Sequence, residues 1–367
     1  MHKYLKKMYV GLFAAILLMV ASALPVGAGG QAQFQVENVD PKLATVAIVT
    51  TGGTIAEKVD PKTGGAVPAV SGADLIKAVP GISKVANIGV YQLCNIDSSQ
   101  MTPEIWAQLS RKVDELLQRR EIAGVVVTHG TDTMAEGAWF LDMTLRGDKP
   151  VVFTGAMNDA SSPFPDGPGN LMNAVVLAAS EEARGWGAVV CLNRYVNSAR
   201  AVRKSQTTNV QTFESGEKGY LGYVTGGRVQ RFNEREDRLY LPLADRLPKV
   251  VYLTTYAGAD GSLVLFAVQS GAKGIVIDGV GAGNVNEATF KAIQYALSNK
   301  VPVVISSSVP NGAVEPVYGG QGGGKTLLDN GCILAGDLKG PKARLLLMLG
   351  LAHYGNDHAK LAELFAQ

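Results

Sequence analysis

The fold is decided by the stretch Thr45-Val46-Ala47-Ile48-Val49-Thr50-Thr51-Gly52-Gly53-Thr54-Ile55-Ala56. Its first half is apolar and rich in β-branched residues, which predicts a buried strand. The two glycines permit a sharp turn and expose backbone N–H groups. Ligands bind beyond the carboxyl ends of strands in open parallel sheets. The Thr54 hydroxyl is therefore expected at the mouth of a site, either as a nucleophile that a neighbouring base activates or as an ordinary turn cap.

Further short apolar runs alternate with amphipathic stretches along the chain. In one such stretch, Ile105, Leu109 and Val113 recur at helical spacing. Apolar strands that alternate with helices are typical of a parallel sheet covered on both faces. The predicted strands are Thr45–Val49, Gly124–Val127, Pro150–Phe153, Gly187–Val190, Lys249–Leu253, Gly274–Ile277 and Val301–Ile305. The predicted helices are Pro103–Arg120, Met134–Leu145, Ser262–Ser270, Glu287–Asn299, Pro341–Leu351 and His358–Phe365.

A change of composition divides the chain. The segment from Gly226 to Arg246 is rich in arginine and acidic residues and has no long apolar run, which indicates a linker with room for a short strand or hairpin. Strand–helix alternation resumes after it. We therefore predict an α/β fold with a larger N-terminal α/β domain at residues 42–228, a linker at 229–247 and a smaller C-terminal α/β domain at 248–367.

The N-terminus has the pattern of a secretory signal peptide. Three lysines precede an apolar run from Met8 to Val20, and small residues follow as far as Ala28. The run is shorter than the ~20 residues of a spanning helix, which favours a signal peptide over a membrane anchor. We predict a signal peptide at residues 1–28, with the cleavage site left open, and a periplasmic or secreted mature protein that makes no membrane contact.

The composition excludes several classes of protein. The 367 residues are 47% hydrophobic and 18% charged, which is typical of a globular chain. The formal net charge is +2, and removal of the three lysines of the predicted signal peptide leaves a nearly neutral protein, so we expect no nucleic-acid partner. The three cysteines form no CxxC pair and only four histidines are present, so we expect free thiols and no metal site.

A second constellation, Val127-Thr128-His129-Gly130-Thr131-Asp132-Thr133-Met134, lies between a predicted strand and a predicted helix. Thr131 and Asp132 fit ordinary helix caps, although the free N–H groups of a helix N-terminus also stabilise an oxyanion. His129 invites a general-base interpretation. Its position directly after a buried strand favours a structural histidine instead.

The two segments together closely resemble the two signature motifs of bacterial L-asparaginases. With the predicted signal peptide, the resemblance implies the exported type II branch of that family. It implies a two-domain asparaginase fold, an amidohydrolase that converts L-asparagine to L-aspartate and ammonia, no cofactor, and a homotetramer. The similarity continues, in order, through Gly155-Ala156-Met157, Asp166-Gly167, Asn170–Val175, Gly279-Val280-Gly281 and Lys342-Ala343-Arg344.

The resemblance assigns catalytic roles to three residues. Thr54 corresponds to the primary nucleophile, Thr131 to a second essential threonine, and Lys204 to the lysine that supports Thr131. A lysine beside a threonine hydroxyl lowers the cost of deprotonating it. Thr54 would attack the carboxamide to give an acyl-enzyme. Direct attack by water activated near Thr131 is the other route, and the residues leave both open.

The resemblance also assigns substrate contacts. Asp132 corresponds to the carboxylate that holds the substrate α-ammonium, Ser98 to the serine that binds the α-carboxylate, and Ala156 to a backbone carbonyl that contacts the amide nitrogen. A charge-assisted pair with Asp132 selects a free amino acid over a peptide. The family supplies a glutamate from its C-terminal domain, and Glu315 is the nearest match, a few positions early.

Two departures from the family bear on function. Its members usually have a tyrosine on the loop after the first motif, hydrogen-bonded to the nucleophile, where this chain has Gly65 or Ala66. Tyr318 is one candidate replacement, with an ordinary loop aromatic as the alternative. Many members have an asparagine that reaches a neighbouring subunit, where this chain has Gly258. A broad glutaminase-asparaginase and a non-catalytic amino-acid-binding protein therefore stand as alternatives.

A competing motif, Gly319–Thr326, satisfies the pattern of a phosphate-binding P-loop, with Lys325 as its lysine. Such a loop needs a strand directly before it and a helix directly after it. The predicted strand ends near Ile305, and the following segment breaks at Gly331. We interpret the run as a flexible glycine loop in preference to the site of a P-loop NTPase.

Overall fold

The computed structural model describes Phe34, Val36 and residues 39–366. The predicted signal peptide lies outside these residues, among which no helix is long and apolar enough to cross a membrane. The strands are β1 Thr45–Gly52, β2 Glu57–Val59, β3 Ala66–Pro68, β4 Asn87–Ile96, β5 Ile122–Thr128, β6 Val151–Thr154, β7 Ala188–Leu192, β8 Tyr195–Ser198, β9 Arg203–Lys204, β10 Phe213–Glu214, β11 Gly222–Thr225, β12 Arg228–Arg231, β13 Val250–Thr254, β14 Gly274–Gly279, β15 Val303–Ser307 and β16 Ile333–Leu334. The α-helices are α1 Gly72–Lys77, α2 Pro103–Leu117, α3 Met134–Thr144, α4 Gly167–Ala178, α5 Ser262–Gln269, α6 Glu287–Ser298, α7 Gly324–Asp329, α8 Gly340–Tyr354 and α9 His358–Phe365.

Eight strands form the larger sheet, in the order β12-β11-β8-β7-β6-β5-β1-β4. The strands β4, β1, β5, β6 and β7 pair in parallel, and β8, β11 and β12 extend the sheet with antiparallel pairing. Thr50 of β1 pairs with Thr128 of β5, which in turn pairs with Thr154 of β6. The carboxyl ends of the central strands are therefore level, and the loops that follow them share one edge of the sheet.

Helices cover both faces of this sheet. Along β1, Ala47 and Val49 belong to one apolar cluster, together with residues of α2, α3 and α8. Their neighbours Val46 and Ile48 belong to a second cluster, together with residues of α1 and α4. Successive residues of a strand point to opposite faces, so an unbroken apolar run such as that of β1 is stable only with helices on both sides.

Four parallel strands form the smaller sheet, in the order β13-β14-β15-β16. Helices α5, α6 and α7 share an apolar cluster with one face of it. Helix α8 covers the other face, and its apolar residues belong to the same cluster as those of α2 and α3. Trp139 of α3 donates from its indole N–H to the carbonyl oxygen of Lys342 in α8, at 3.3 Å. The long helix α8 therefore joins the two sheets.

The predicted fold class is confirmed, and every predicted strand and helix overlaps an observed one. The prediction omits β4, α4 and the antiparallel strands β8 and β11, together with the short elements β2, β3, β9, β10, β16, α1 and α7. Most residues of β4 are only partly buried because this strand lies at the edge of the sheet. An edge strand lacks the continuous apolar run that identifies a central one.

The arginine-rich segment after β11 is ordered by one buried carboxylate. Its first part forms β12, the short strand for which the sequence leaves room. Arg235 donates to both carboxylate oxygens of the fully buried Asp142, at 2.9 Å each. Arg238 donates to the backbone carbonyl of the same residue at 3.0 Å. Two guanidinium groups therefore compensate a carboxylate in the core of α3.

Candidate active site

The ends of β1, β4 and β5 meet at Gly52, the last residue of β1, and at Gly53, which follows it. Gly52 pairs with Ile96 at the end of β4, and the Gly53 N–H donates to the Ile96 carbonyl oxygen at 3.0 Å. A Cβ on Gly53 would lie 2.2 Å from Cα of Gly130, in the loop after β5. Because Gly53 also has a φ of +80°, only glycine fits this contact. The close approach of the two backbones brings the loop of Thr54 against the loop of Thr131.

Ser98 joins the loop after β4 to the loop after β5. The Asp132 N–H donates to the Ser98 hydroxyl at 3.3 Å, and the Thr133 hydroxyl donates to the Ser98 carbonyl oxygen at 2.9 Å. Ser98 is only 1% exposed, and a Cβ on Gly130 would lie 2.6 Å from its Oγ. The serine hydroxyl is therefore held at the same edge of the sheet as Thr54 and Asp132.

Lys204 completes this cluster from the short strand β9. Its ammonium donates to the Thr131 hydroxyl at 2.9 Å and to the Asp132 carboxylate at 2.6 Å. Thr131 is buried, whereas the Asp132 side chain is 61% exposed. The ammonium therefore polarises a buried hydroxyl, while a carboxylate with one oxygen free of this ion pair faces the open side.

Lys342 of α8 holds the turn that leads into β9. Its ammonium is buried and donates to the carbonyl oxygens of Ala199, Arg200 and Val202, at 2.7, 2.9 and 2.5 Å. Three carbonyl acceptors match the three donors of an ammonium group. The turn ends at the residue before Arg203–Lys204, so this lysine positions Lys204. The resemblance includes Lys342 without a role, and only the fold reveals one.

His129 is a structural residue. Its Nε2 accepts from the Trp106 indole N–H at 3.2 Å, and its Nδ1–H donates to the Gly130 carbonyl oxygen at 2.7 Å. Complete burial lowers the pKa of this imidazole to about 4. Both ring nitrogens are occupied, so His129 has no free lone pair with which to accept a proton. The interpretation favoured by the sequence is confirmed.

Ala156 lies buried in the loop after β6, the next strand of the sheet. A Cβ on Gly155 would lie 2.4 Å from the His129 carbonyl oxygen, so this loop packs against the loop of Thr131. The Asp166 carboxylate accepts from the N–H groups of Met157 and Asn158 at 3.1 and 2.8 Å. The backbone around Ala156 is therefore fixed beside the cluster.

The sequence analysis missed Glu57. This residue directly follows the single 3₁₀ turn Thr54–Ala56, and its carboxylate lies near the Thr54 hydroxyl, which favours the charged form of the carboxylate. It is only 6% exposed. The signal in the sequence is a carboxylate three residues after the candidate nucleophile, a spacing that places both side chains on one side of a 3₁₀ turn.

The remaining candidates lie outside this cluster. Glu315 and Tyr318 are both exposed, on the loop between β15 and α7. The six-residue helix α7 begins inside the P-loop-like run, at Gly324, so the prediction of a glycine loop is wrong for the last part of the run. The strand before the run ends at Ser307, well ahead of Gly319. Lys325 forms an ion pair with Asp329. The roles predicted for Glu315 and Tyr318 stay predictions.

Metal-ligating side chains and thiols are the other chemical groups of interest in the described part of the chain. Among the described residues, no group of three or more His, Cys, Asp or Glu side chains could hold a metal ion. Cys94, Cys191 and Cys332 are free thiols, as predicted. Burial raises the pKa of each thiol, to about 11 for Cys94 and about 12 for the other two, so none is a reactive thiolate near neutral pH.

Two family models match the chain. The model "Asparaginase, N-terminal" matches residues 45–237, and the model "Glutaminase/Asparaginase C-terminal domain" matches residues 249–365. Together they cover the residues of both sheets.

Individual proteins are similar over most of their length. L-asparaginase 2 of Bacillus subtilis is 35% identical over 331 residues, which cover 88% of this chain and 86% of that protein. The probable periplasmic L-asparaginase of Haemophilus influenzae is 39% identical over 317 residues, which cover 84% and 89%. The crystal structure of a probable cytoplasmic L-asparaginase from Campylobacter jejuni superposes with a TM-score of 0.81 at 38% identity, and covers 88% of this chain and 99% of that chain.

Proposed function

The chain belongs to the asparaginase family, and on that basis we propose that it hydrolyses the side-chain amide of L-asparagine to L-aspartate and ammonia. The observation that carries the proposal is the cluster at the carboxyl ends of β1, β4 and β5. There the Lys204 ammonium reaches both Thr131 and Asp132, and Ser98 reaches the backbone of Asp132. The similarity to an L-asparaginase 2 confirms the predicted type II resemblance.

The substrate is held by its amino-acid end. The exposed Asp132 carboxylate pairs with the α-ammonium group, and the Ser98 hydroxyl donates to the α-carboxylate. Two charged groups bound at fixed points orient the side-chain amide toward Thr54. Holding the reacting atoms in contact in this way lowers the barrier by several kcal/mol or more.

Covalent catalysis then proceeds at Thr54. Its Oγ1 attacks the amide carbon, ammonia leaves with the amide nitrogen, and water hydrolyses the resulting ester to aspartate. The backbone carbonyl of Ala156 accepts from the amide nitrogen. Thr131, whose hydroxyl accepts a hydrogen bond from the Lys204 ammonium, orients the attacking group. Glu315 contributes from the C-terminal domain.

Assembly and location form the second part of the proposal. We propose a homotetramer whose neighbouring subunits complete each site, because Glu315 is exposed and lies outside the cluster within one chain. We also propose a signal peptide at residues 1–28 and a periplasmic or secreted protein, which the name of the Haemophilus relative supports, although the Campylobacter protein is called cytoplasmic. Light scattering after gel filtration and N-terminal sequencing of exported protein test these two points. A monomer would contradict the first, and an uncut, unexported chain the second.

The function is tested by ammonia release from L-asparagine and, separately, from L-glutamine. We expect release from asparagine and a fall in kcat of roughly 10²- to 10⁴-fold in Lys204→Met, because Thr131 loses its ammonium partner. Lys325→Met is the matched control, since Lys325 pairs with Asp329 on the surface, and we expect it to keep full activity. The glutamine rate decides between a selective and a broad amidohydrolase. Binding of asparagine without release of ammonia would overturn the proposal in favour of a binding protein.

A further inference from the structure

A single 3₁₀ turn places Glu57 next to the candidate nucleophile, Thr54. The Ala56 N–H donates to the Gly53 carbonyl oxygen at 2.7 Å, and the Glu57 N–H donates to the Thr54 carbonyl oxygen. In a 3₁₀ turn the side chains of residues i and i+3 lie over one another. The Glu57 carboxylate therefore lies on the same side of the turn as the Thr54 hydroxyl, which is close enough to favour the charged form of the carboxylate.

The surroundings hold Glu57 in this place. Its backbone pairs with Pro68 across the β2–β3 hairpin, and its carbonyl oxygen accepts from the Ala160 N–H at 3.3 Å. The residue before it, Ala56, accepts from the N–H groups of Ala69 and Val70 at 2.9 Å each. With 6% of its surface exposed, the carboxylate has little freedom to turn away from Thr54.

The charges around Glu57 make it a stronger base than an ordinary glutamate. Burial raises its pKa most, and the carboxylates of Asp97, Asp159 and Asp132 raise it further, while the nearby Thr54 hydroxyl opposes them. These three carboxylates come from the loops after β4, β6 and β5. Efficient general bases have a pKa shifted toward the working pH, and the direction here is the one that such a role requires.

The other basic groups near the two threonines are less suited to accept a proton. The Lys204 nitrogen donates to Thr131 and forms an ion pair with Asp132, so it is held as an ammonium. Both ring nitrogens of His129 are occupied by Trp106 and Gly130. Glu57 is a buried carboxylate three residues after Thr54, on the same side of the turn as the Thr54 hydroxyl.

We propose that Glu57 is the catalytic base of this chain, in place of the loop tyrosine that its family usually has. The inference rests on the proposed function. As the bond from Thr54 Oγ1 to the amide carbon forms, the hydroxyl proton passes to the Glu57 carboxylate. The resulting carboxylic acid returns that proton to the amide nitrogen as the C–N bond breaks, and ammonia leaves. In the second half, Glu57 takes a proton from the attacking water and returns it to Thr54 Oγ1.

The test compares Glu57→Gln with wild type in kcat, KM and pH profile for asparagine. We expect kcat to fall roughly 10²- to 10⁴-fold with KM within about threefold, because an amide keeps the shape of the side chain and cannot accept the proton. In wild type, kcat/KM falls as the pH drops and Glu57 is protonated. We expect this acidic limb to disappear in the variant.

Two further measurements separate catalysis from structure. In Glu57→Gly, we expect added formate to raise the rate of ammonia release at least tenfold. A purely structural role of Glu57 would not give this rescue. Asp159→Asn removes one nearby negative charge at a half-buried residue, so we expect it to keep kcat and to move the acidic limb to lower pH. Circular dichroism and thermal unfolding check that each variant is folded.

The outcomes are distinct. A folded Glu57→Gln variant with a rate within about threefold of wild type, or with an unchanged acidic limb, would overturn the role of Glu57 and leave the asparaginase function intact. Wild-type protein that releases no ammonia from asparagine would overturn the proposed function itself.

Discussion

Two glycine-rich turns of this molecule match a functional motif: Gly52-Gly53 matches the asparaginase motif, and Gly319–Thr326 matches the P-loop pattern. They differ in the backbone contacts that their glycines allow. At the first turn, a Cβ on Gly53 would lie 2.2 Å from Cα of Gly130, so only glycine allows the loop after β1 to contact the loop after β5. In the second, a Cβ on Gly322 would lie 2.2 Å from the Val285 carbonyl oxygen, whereas no described residue lies within 4 Å of a Cβ on Gly319 or Gly320. The first contact brings Thr54 to a loop with a hydroxyl, a carboxylate and a lysine. A glycine motif therefore indicates a site when its backbone touches a second polar loop.

The largest effect that we expect from this difference is that of Gly53→Ala. The added methyl group would lie 2.2 Å from the backbone of Gly130 in the loop after β5, and the φ of +80° is unfavourable for alanine. We expect the turn to shift and asparagine hydrolysis to fall by at least ~10²-fold, because displacements of about 1 Å at a reacting group have that effect. Steady-state ammonia release measures it. A variant with near wild-type activity would show that the contact does not position Thr54.

A smaller effect concerns the stability of the folded protein in acid, through His129 in the loop that Gly53 contacts. The pKa of His129 is about 4 in the folded protein against 6.5 for the free imidazole, so the unfolded chain binds the extra proton between these values. Stability is complete above pH 6.5 and falls toward pH 4, by roughly 3 kcal/mol from this residue alone.

Urea unfolding from pH 7 to pH 4 measures this loss of stability. His129→Gln keeps an acceptor for Trp106 but cannot be protonated, so we expect its stability to depend less on pH over that range. An identical pH dependence in both proteins would show that His129 is not the group that titrates.

The smallest effect is expected at the second turn. Gly320→Ala adds a methyl group in open space at a backbone position without a positive φ. We expect unfolding free energy within ±0.5 kcal/mol of wild type and unchanged hydrolysis. Thermal unfolding and ammonia release check both quantities. A loss of activity comparable to that of Gly53→Ala would give the second turn a functional role and remove the contrast between them.

The central strands could be predicted from sequence because both of their faces are buried. In β1 and β5 every position from Val46 to Val49 and from Val125 to Val127 must be apolar, which leaves an unbroken signal. The edge strand β4 and the antiparallel extension carry polar residues on exposed faces, so no such run identifies them. A strand that is buried on one side only has no unbroken apolar run, so its sequence pattern could not be distinguished from that of a loop.

The residues of the site also divide into those that the sequence patterns could place and those that they could not. Thr54 and Thr131 stand after predicted strands, and parallel topology alone places them at one edge. Lys204 is 73 residues from its partner Thr131, in a polar stretch with no periodicity, so only the resemblance pointed to it. Glu57 was missed for the opposite reason. It lies three residues from Thr54, and only the 3₁₀ conformation of the turn shows that the two side chains share one side.

The most direct test of the central claim compares the threonines of the two glycine-rich turns. The rate of ammonia release from L-asparagine would be measured for Thr54→Ala and for Thr326→Ala, whose hydroxyl only donates to the Gly319 carbonyl oxygen on the surface. We predict that kcat falls at least ~10³-fold in the first variant, because the nucleophile is lost, and stays within about twofold of wild type in the second. A Thr54→Ala variant that hydrolyses asparagine at a comparable rate would contradict the account.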